Sequence, residues 1–279
     1  MEQILYGKPV ANKLDDISSE VFQQYSKEGK KPHMTAITVG DNPASLLYVS
    51  RKEAKANELG VEFYWVKLDV NTTQETLQDI VIENSKKTDG LIIQLPLPSH
   101  LNQEEAINCI PYQIDVDGLT THNLGSLFSD TFKLIPATSL AVLELLKYYN
   151  IQTIDKNIVI AGRSRLVSAP LAKILSSKVY DGNVTVIHSK TTNQKSYIKS
   201  ADIFISAIGS PKLYDHSYFK KGAVLIDIGI SSVENKTYGD IDTSNIGDLV
   251  KARAPYPGGV GPITVSSLFL NLSRLLKFN

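Results

Sequence analysis

Short, nearly continuous apolar runs alternate along this chain with stretches of helical period, and few folds accept that alternation. Met34 to Val39, Glu62 to Leu68 and GLIIQLP (Gly90 to Pro96) are too short for helices and too apolar for strands with one wet face. They read as strands of a buried parallel sheet, whose crossovers must be helices. Helical patterns fill the gaps at about Gly7 to Lys27 and Thr73 to Ser85. Between Val39 and Glu62, Asn42 can cap a helix, Pro43 suits its first turn and Gly60 can end it. Tyr48 and Lys52 therefore lie in a helix, four residues apart and on one face.

A helix from Ser139 to Tyr149 opens a second series. NIVIAGRSRLVSAPLAKIL reads as strand, tight turn and helix, and NVTVIH, ADIFISAIG and AVLIDIGI supply further strands in a Rossmann-like rhythm. Val265 to Phe278 is an amphipathic, leucine-dense helix expected to pack on the first domain. The expected architecture is α/β in two domains, residues 1–137 plus 265–279 and residues 138–264.

Composition narrows the function. Lys plus Arg and Asp plus Glu both number 29, so no global field draws the chain to nucleic acid or an acidic membrane. The single cysteine, Cys109, forms no intrachain disulfide and reads as packing. The start, MEQILYGKPV, lacks the basic stretch and apolar run of a signal peptide, and no segment approaches a membrane span, so a cytoplasmic protein is expected.

The turn after NIVIA, Gly162-Arg163-Ser164, keeps only the first glycine of a dinucleotide fingerprint, but it leads into a helix N-terminus that can receive a pyrophosphate. At the end of the next strand stand His188, Ser189 and Lys190, where an NAD site commonly carries a carboxylate. Ser189, Lys190 and Arg163 could instead donate to a phosphate, which favours NADP over NAD; a polar strand end and solvated arginines are the alternative. Gln94, an amide inside an apolar strand, calls for a reason. Asp115 and Asp117 precede Gly118 in DVDG; the other oxygen ligands of a calcium loop are missing, so no metal is expected.

YVSRK, GLIIQLPLP, DVDG, GRSRLVSAP, HSKT, AIGSP, IDIGI and PGGVGPIT follow in the order found in bifunctional methylenetetrahydrofolate dehydrogenase/cyclohydrolases, and the sequence resembles that family over nearly its whole length. The resemblance implies a folate-binding catalytic domain and a Rossmann-like NADP-binding domain with a cleft between them. It implies Lys52 as the catalytic lysine, with Tyr48 beside it and Gln94 bonded to it, and Asp117 as the carboxylate that holds the pterin. Pro257, Gly258, Gly259 and Val260 match the loop beside folate and nicotinamide. Gly162, Arg163, Ser164, Ser189 and Ile230 match nucleotide-binding positions. The implied partners are tetrahydrofolate derivatives and a second copy in a homodimer, and the implied setting is one-carbon metabolism feeding purine biosynthesis. Ile114, Ala137, Ser139, Ser168 and Tyr256 depart from the family pattern without removing a proposed catalytic group. Rival readings are a monofunctional methylenetetrahydrofolate dehydrogenase, a two-domain amino-acid dehydrogenase and a non-catalytic NADP-binding module. Lys52 argues against the first, and Tyr48, Gln94 and Asp117 against the second.

Overall fold

A computed structural model describes residues 2–129, 131–233 and 236–278. In chain order the first elements are β1 (Gln3–Ile4), α1 (Gly7–Lys27), β2 (His33–Val39), α2 (Pro43–Leu59), β3 (Glu62–Leu68), α3 (Gln74–Ser85), β4 (Gly90–Ile93), α4 (Gln103–Asn108), α5 (Thr121–Phe128) and α6 (Ala137–Tyr148). There follow β5 (Asn157–Ala161), α7 (Ser168–Leu175), β6 (Asn183–Ile187), α8 (Gln194–Ser200), β7 (Ile203–Ser206), β8 (Val224–Asp227), β9 (Ser231–Val233), β10 (Lys236–Tyr238), β11 (Ala252–Ala254) and α9 (Val260–Phe278). The chain divides into two compact units, Asn12–Ala137 with Val265–Asn279, and Met1–Ala11 with Thr138–Thr264.

The first of these units is built on a parallel sheet in the order β3-β2-β4. Its central strand explains the unbroken apolar run. Met34 and Ala36 join Ile92, Leu268 and Leu272 on one face, while Ile37 and Val39 join Leu77, Val81 and Leu91 on the other. From Met34 to Val39 both faces are dry, so none of those positions can be spared for a charge. The expected capping of α2 is present: Asn42 Oδ1 accepts from Ser45 N at 3.1 Å, and Gly60 closes the helix at φ 72°.

The second unit carries a six-stranded parallel sheet in the order β1-β11-β8-β7-β5-β6. The chain order reverses at β5, which lies between β6 and β7. In such sheets ligands bind beyond the strand C-termini at that reversal. The sequence reading groups residues 1–11 with the first domain, but β1 is an edge strand of this sheet. Gln3 N donates to Lys251 O at 3.0 Å and Leu5 N to Arg253 O at 2.8 Å, and the Leu5 side chain is fully buried. A two-residue strand has no periodicity to read, which is why its pairing was invisible. Helix α9 also starts five residues before the expected Val265. Gly261-Pro262 looks like a break, yet proline is tolerated in a first helical turn, where its missing N–H is not needed. Among the described residues no helix is long and apolar enough to cross a membrane.

Candidate active site

Lys52 is placed by α2 and Gln94 by the end of β4, and the structure brings them together. Lys52 is only 8% exposed, and its Nζ donates to Gln94 Oε1 at 2.8 Å. Gln94 is fixed at its other end, Nε2 donating to Leu95 O at 2.8 Å, and along its backbone, N donating to Ile37 O at 2.8 Å. The amide, which the structure places just past the end of the apolar β4, thus has its reason: it orients a buried amine. Burial holds the Lys52 amine below the usual lysine range, and the charge of Asp117 opposes that shift. Tyr48, one turn earlier on α2, is half-buried with the Arg51 guanidinium 5.9 Å from its ring centre.

The two carboxylates of DVDG have different tasks. Asp115 is buried and accepts from Gly118 N at 2.9 Å, Thr120 N at 2.8 Å and Asn123 Nδ2 at 2.9 Å. It shapes the loop. Asp117 keeps some solvent-accessible surface while lying deep among protein atoms, and among the described residues its carboxylate accepts no hydrogen bond. Burial raises its pKa to about 6; Lys52 opposes the rise and Asp115 adds to it. At neutral pH it is therefore mostly an ionised acceptor with open lone pairs, suited to a ligand rich in N–H donors.

Sequence reasoning missed Asn271, buried within α9. Its Nδ2 donates to Val116 O and Ile135 O, both at 2.9 Å, tying the residue before Asp117 to the segment whose Ala137 N donates to Asp117 O at 3.2 Å. A signal existed: a single amide among leucines, the same kind of anomaly that singled out Gln94.

In the second unit, Gly162 follows β5 at the sheet reversal, at φ 120°. A Cβ there would lie 2.7 Å from Ala207 O and 2.9 Å from Ser168 Oγ, so only glycine lets this turn pass under the end of β7. Arg163 and Ser164 are exposed. The start of α7 is less open than expected: Ser164 Oγ accepts from Val167 N at 3.2 Å and Ser168 N at 3.4 Å, and Ser164 O from Ala169 N at 3.0 Å. Ser164 builds the turn. Ser189 and Lys190 are exposed after β6, in a turn where His188 N donates to Thr191 Oγ1 at 3.0 Å. Ile230 projects beyond β8, 42% exposed.

In the PGGVGP segment, Pro257 and Gly258 are exposed, whereas the Val260 side chain is buried at the start of α9, which leaves only its backbone for a ligand. Gly7, also missed, donates from N to Gly258 O at 2.8 Å, and any side chain there would overlap the Gly259 carbonyl.

These features define a two-unit α/β protein with a buried lysine-amide pair, an open carboxylate and a glycine-turn nucleotide site. Residues 5–117 match the catalytic-domain model of tetrahydrofolate dehydrogenase/cyclohydrolase and residues 136–279 its NAD(P)-binding-domain model. The bifunctional protein FolD of Borrelia garinii is 40% identical, the match covering all of this chain and 95% of that protein. The bifunctional methylenetetrahydrofolate dehydrogenase/cyclohydrolase of Campylobacter jejuni superposes with a TM-score of 0.93 at 33% identity, covering 100% of this chain and 99% of that one. The Trypanosoma brucei enzyme, solved with NADP and an inhibitor, superposes with a TM-score of 0.94 at 30% identity, covering 99% and 98%. The chain belongs to the tetrahydrofolate dehydrogenase/cyclohydrolase family.

Proposed function

We propose that this chain oxidises methylene-tetrahydrofolate to methenyl-tetrahydrofolate with NADP and then hydrolyses the methenyl group to 10-formyl-tetrahydrofolate, with Lys52 as the proton carrier of the second step. The observation that carries this reading is the buried Lys52 amine held at 2.8 Å by Gln94.

Oxidation asks little acid-base help of the protein. The bridging carbon lies between two nitrogens whose lone pairs stabilise the amidinium product as hydride leaves, so positioning is the main contribution. Bound NADP supplies the hydride acceptor. The residues present fit it: Gly162 gives the close turn, Arg163, Ser164, Ser189 and Lys190 offer donors, and no carboxylate follows β6 to repel a phosphate. Ile230 borders the same strand ends.

Hydrolysis is more demanding, because water must lose a proton as it adds to the methenyl carbon and a ring nitrogen must gain one as its bond to that carbon breaks. Neutral Lys52, favoured by burial and by a cationic substrate, takes the first proton, and its ammonium form returns one to the departing nitrogen. Gln94 accepts from Nζ and aims it; Tyr48 shares its helical face. Asp117 accepts from the pterin amino and ring N–H groups. Pro257, Gly258, Gly259 and the Val260 backbone border folate and nicotinamide. The folate-binding role goes with the unit of residues 12–137 plus 265–279 and the NADP-binding role with the unit of residues 1–11 plus 138–264. The family resemblance extends the reading to a cytoplasmic homodimer supplying formyl groups for purine biosynthesis.

The test is near-ultraviolet absorbance of purified protein with methylene-tetrahydrofolate and NADP or NAD, followed by methenyl-tetrahydrofolate alone. NADP reduction with accelerated methenyl decay is the expected result. Reduction without decay would make the chain a monofunctional dehydrogenase.

A further inference from the structure

Two buried carboxylates in the nucleotide unit, Asp227 and Asp240, have no part in the proposed chemistry. Asp240 is completely buried, and it accepts three hydrogen bonds: from Ser206 Oγ at 2.6 Å, Ile208 N at 3.0 Å and Ser210 N at 2.7 Å. Those donors are the last residue of β7 and the loop that follows it, and Ala207 within that loop is the residue whose carbonyl crowds Gly162. The same carboxylate lies against Gly229, after β8, so closely that any side chain there would overlap it. Asp240 therefore sets the positions of two loops at the C-terminal edge of the sheet, one of them beside the reversal point.

Asp240 is itself held. Asp227, at the end of β8, accepts from Asp240 N at 3.1 Å, Ile241 N at 2.9 Å and Gly229 N at 3.1 Å. The arrangement is a relay: one carboxylate fixes the backbone of the next, whose side chain fixes the loop at 207–210. Burying two neighbouring carboxylates is expensive, and burial with the charge of Asp240 raises Asp227 to about 7, against the pull of its backbone donors. A loop needing only polar satisfaction could be closed by water or hydroxyls at lower cost.

We propose that Asp240 is a positioning residue for NADP: its side chain pre-shapes the Ala207–Ser210 loop, and through Ala207 the Gly162 turn, before the cofactor arrives. This rests on the NADP-binding reading of the unit, and direct binding keeps the two separable. A chain that binds NADP without turnover would sink the proposed activity and leave this inference standing; a wild-type chain that does not bind NADP would overturn both.

The decisive variant is Asp240→Asn, which presents an amide N–H₂ to one of three donors. NADP affinity measured by titration should fall about tenfold, the loss expected for one hydrogen bond to a charged acceptor. Dehydrogenase KM for NADP should rise to match, with kcat at saturating NADP within about twofold of wild type. Amide hydrogen exchange separates positioning from a general loosening of the unit. Ile208 and Ser210 should lose protection in Asp240→Asn, while Ile158 and Phe204, in the core strands, keep theirs. Unchanged NADP affinity with those two amides released would overturn the proposal, as would equal loss of protection across the strands. If Asp240→Asn does not fold, exchange in the cofactor-free wild type decides. Protection at Ile208 and Ser210 supports pre-shaping; exchange at the rate of an open chain contradicts it.

Discussion

The two units of this protein present their ligand sites in different atoms. In the folate unit the proposed groups are side chains: Lys52 on α2, Gln94 just after β4, and Asp117 in a loop pinned by Asp115 and Asn271. In the nucleotide unit the proposed site is framed by tight turns, where Gly162 passes under Ala207 and the Ser164 side chain closes the start of α7, with exposed side-chain donors around them. Proton transfer needs a titratable group at one point in space, which only a rigid side chain provides. A dinucleotide needs a surface of donors that approaches closely, which backbone provides best where side chains are absent. Substitutions in the first unit should therefore alter rates and pH profiles, and those in the second cofactor affinity.

The largest expected effect is Lys52→Ala, which should slow methenyl hydrolysis by about 10²–10⁴-fold, the range of a lost general acid-base group. Gly162→Ala comes next. With a Cβ 2.7 Å from Ala207 O at a φ of 120°, it should raise the NADP KM by about 100-fold, or roughly 2.7 kcal/mol, while leaving methenyl hydrolysis unchanged. An equal fall in hydrolysis would break the comparison. Asp117→Asn should raise the folate KM by about tenfold, through loss of a charged acceptor. It should also move the pH profile. Asp117 raises the Lys52 pKa, so its removal lowers that pKa further, and the limb of hydrolysis that rises with pH should shift to lower pH. In the wild type, protonation of Asp117 as pH falls through about 6 should weaken folate binding in the same sense. The smallest effect is Ser189→Asp. It places a carboxylate where the exposed end of β6 carries none, and should weaken NADP by a few-fold to about tenfold without touching folate binding. Unchanged affinity would locate the extra phosphate elsewhere.

How much of this was legible in the sequence follows from the same contrast. The dry strands β2, β4, β5, β7 and β8 were legible because burial on both faces leaves an unbroken apolar run. Gln94 stood out because an amide in such a run needs a partner, and the partner is Lys52. The different tasks of Asp115 and Asp117 were not visible in DVDG, since they depend on which carboxylate the backbone N–H groups of Gly118 and Thr120 reach. β1, β11 and the β9–β10 hairpin are two or three residues each, too short for any period. Nothing in the sequence singles out Asp240, and only the fold shows it fully buried under the β7 loop.

The most direct test of the division of labour is hydride transfer in the Lys52→Ala protein, measured as NADP reduction with saturating methylene-tetrahydrofolate. Dehydrogenase turnover should stay within about tenfold of wild type in the same preparation whose hydrolysis has collapsed, because oxidation needs no proton carrier. Equal loss of both activities would contradict the account, and would make Lys52 a binding group for the folate rather than the carrier of a proton.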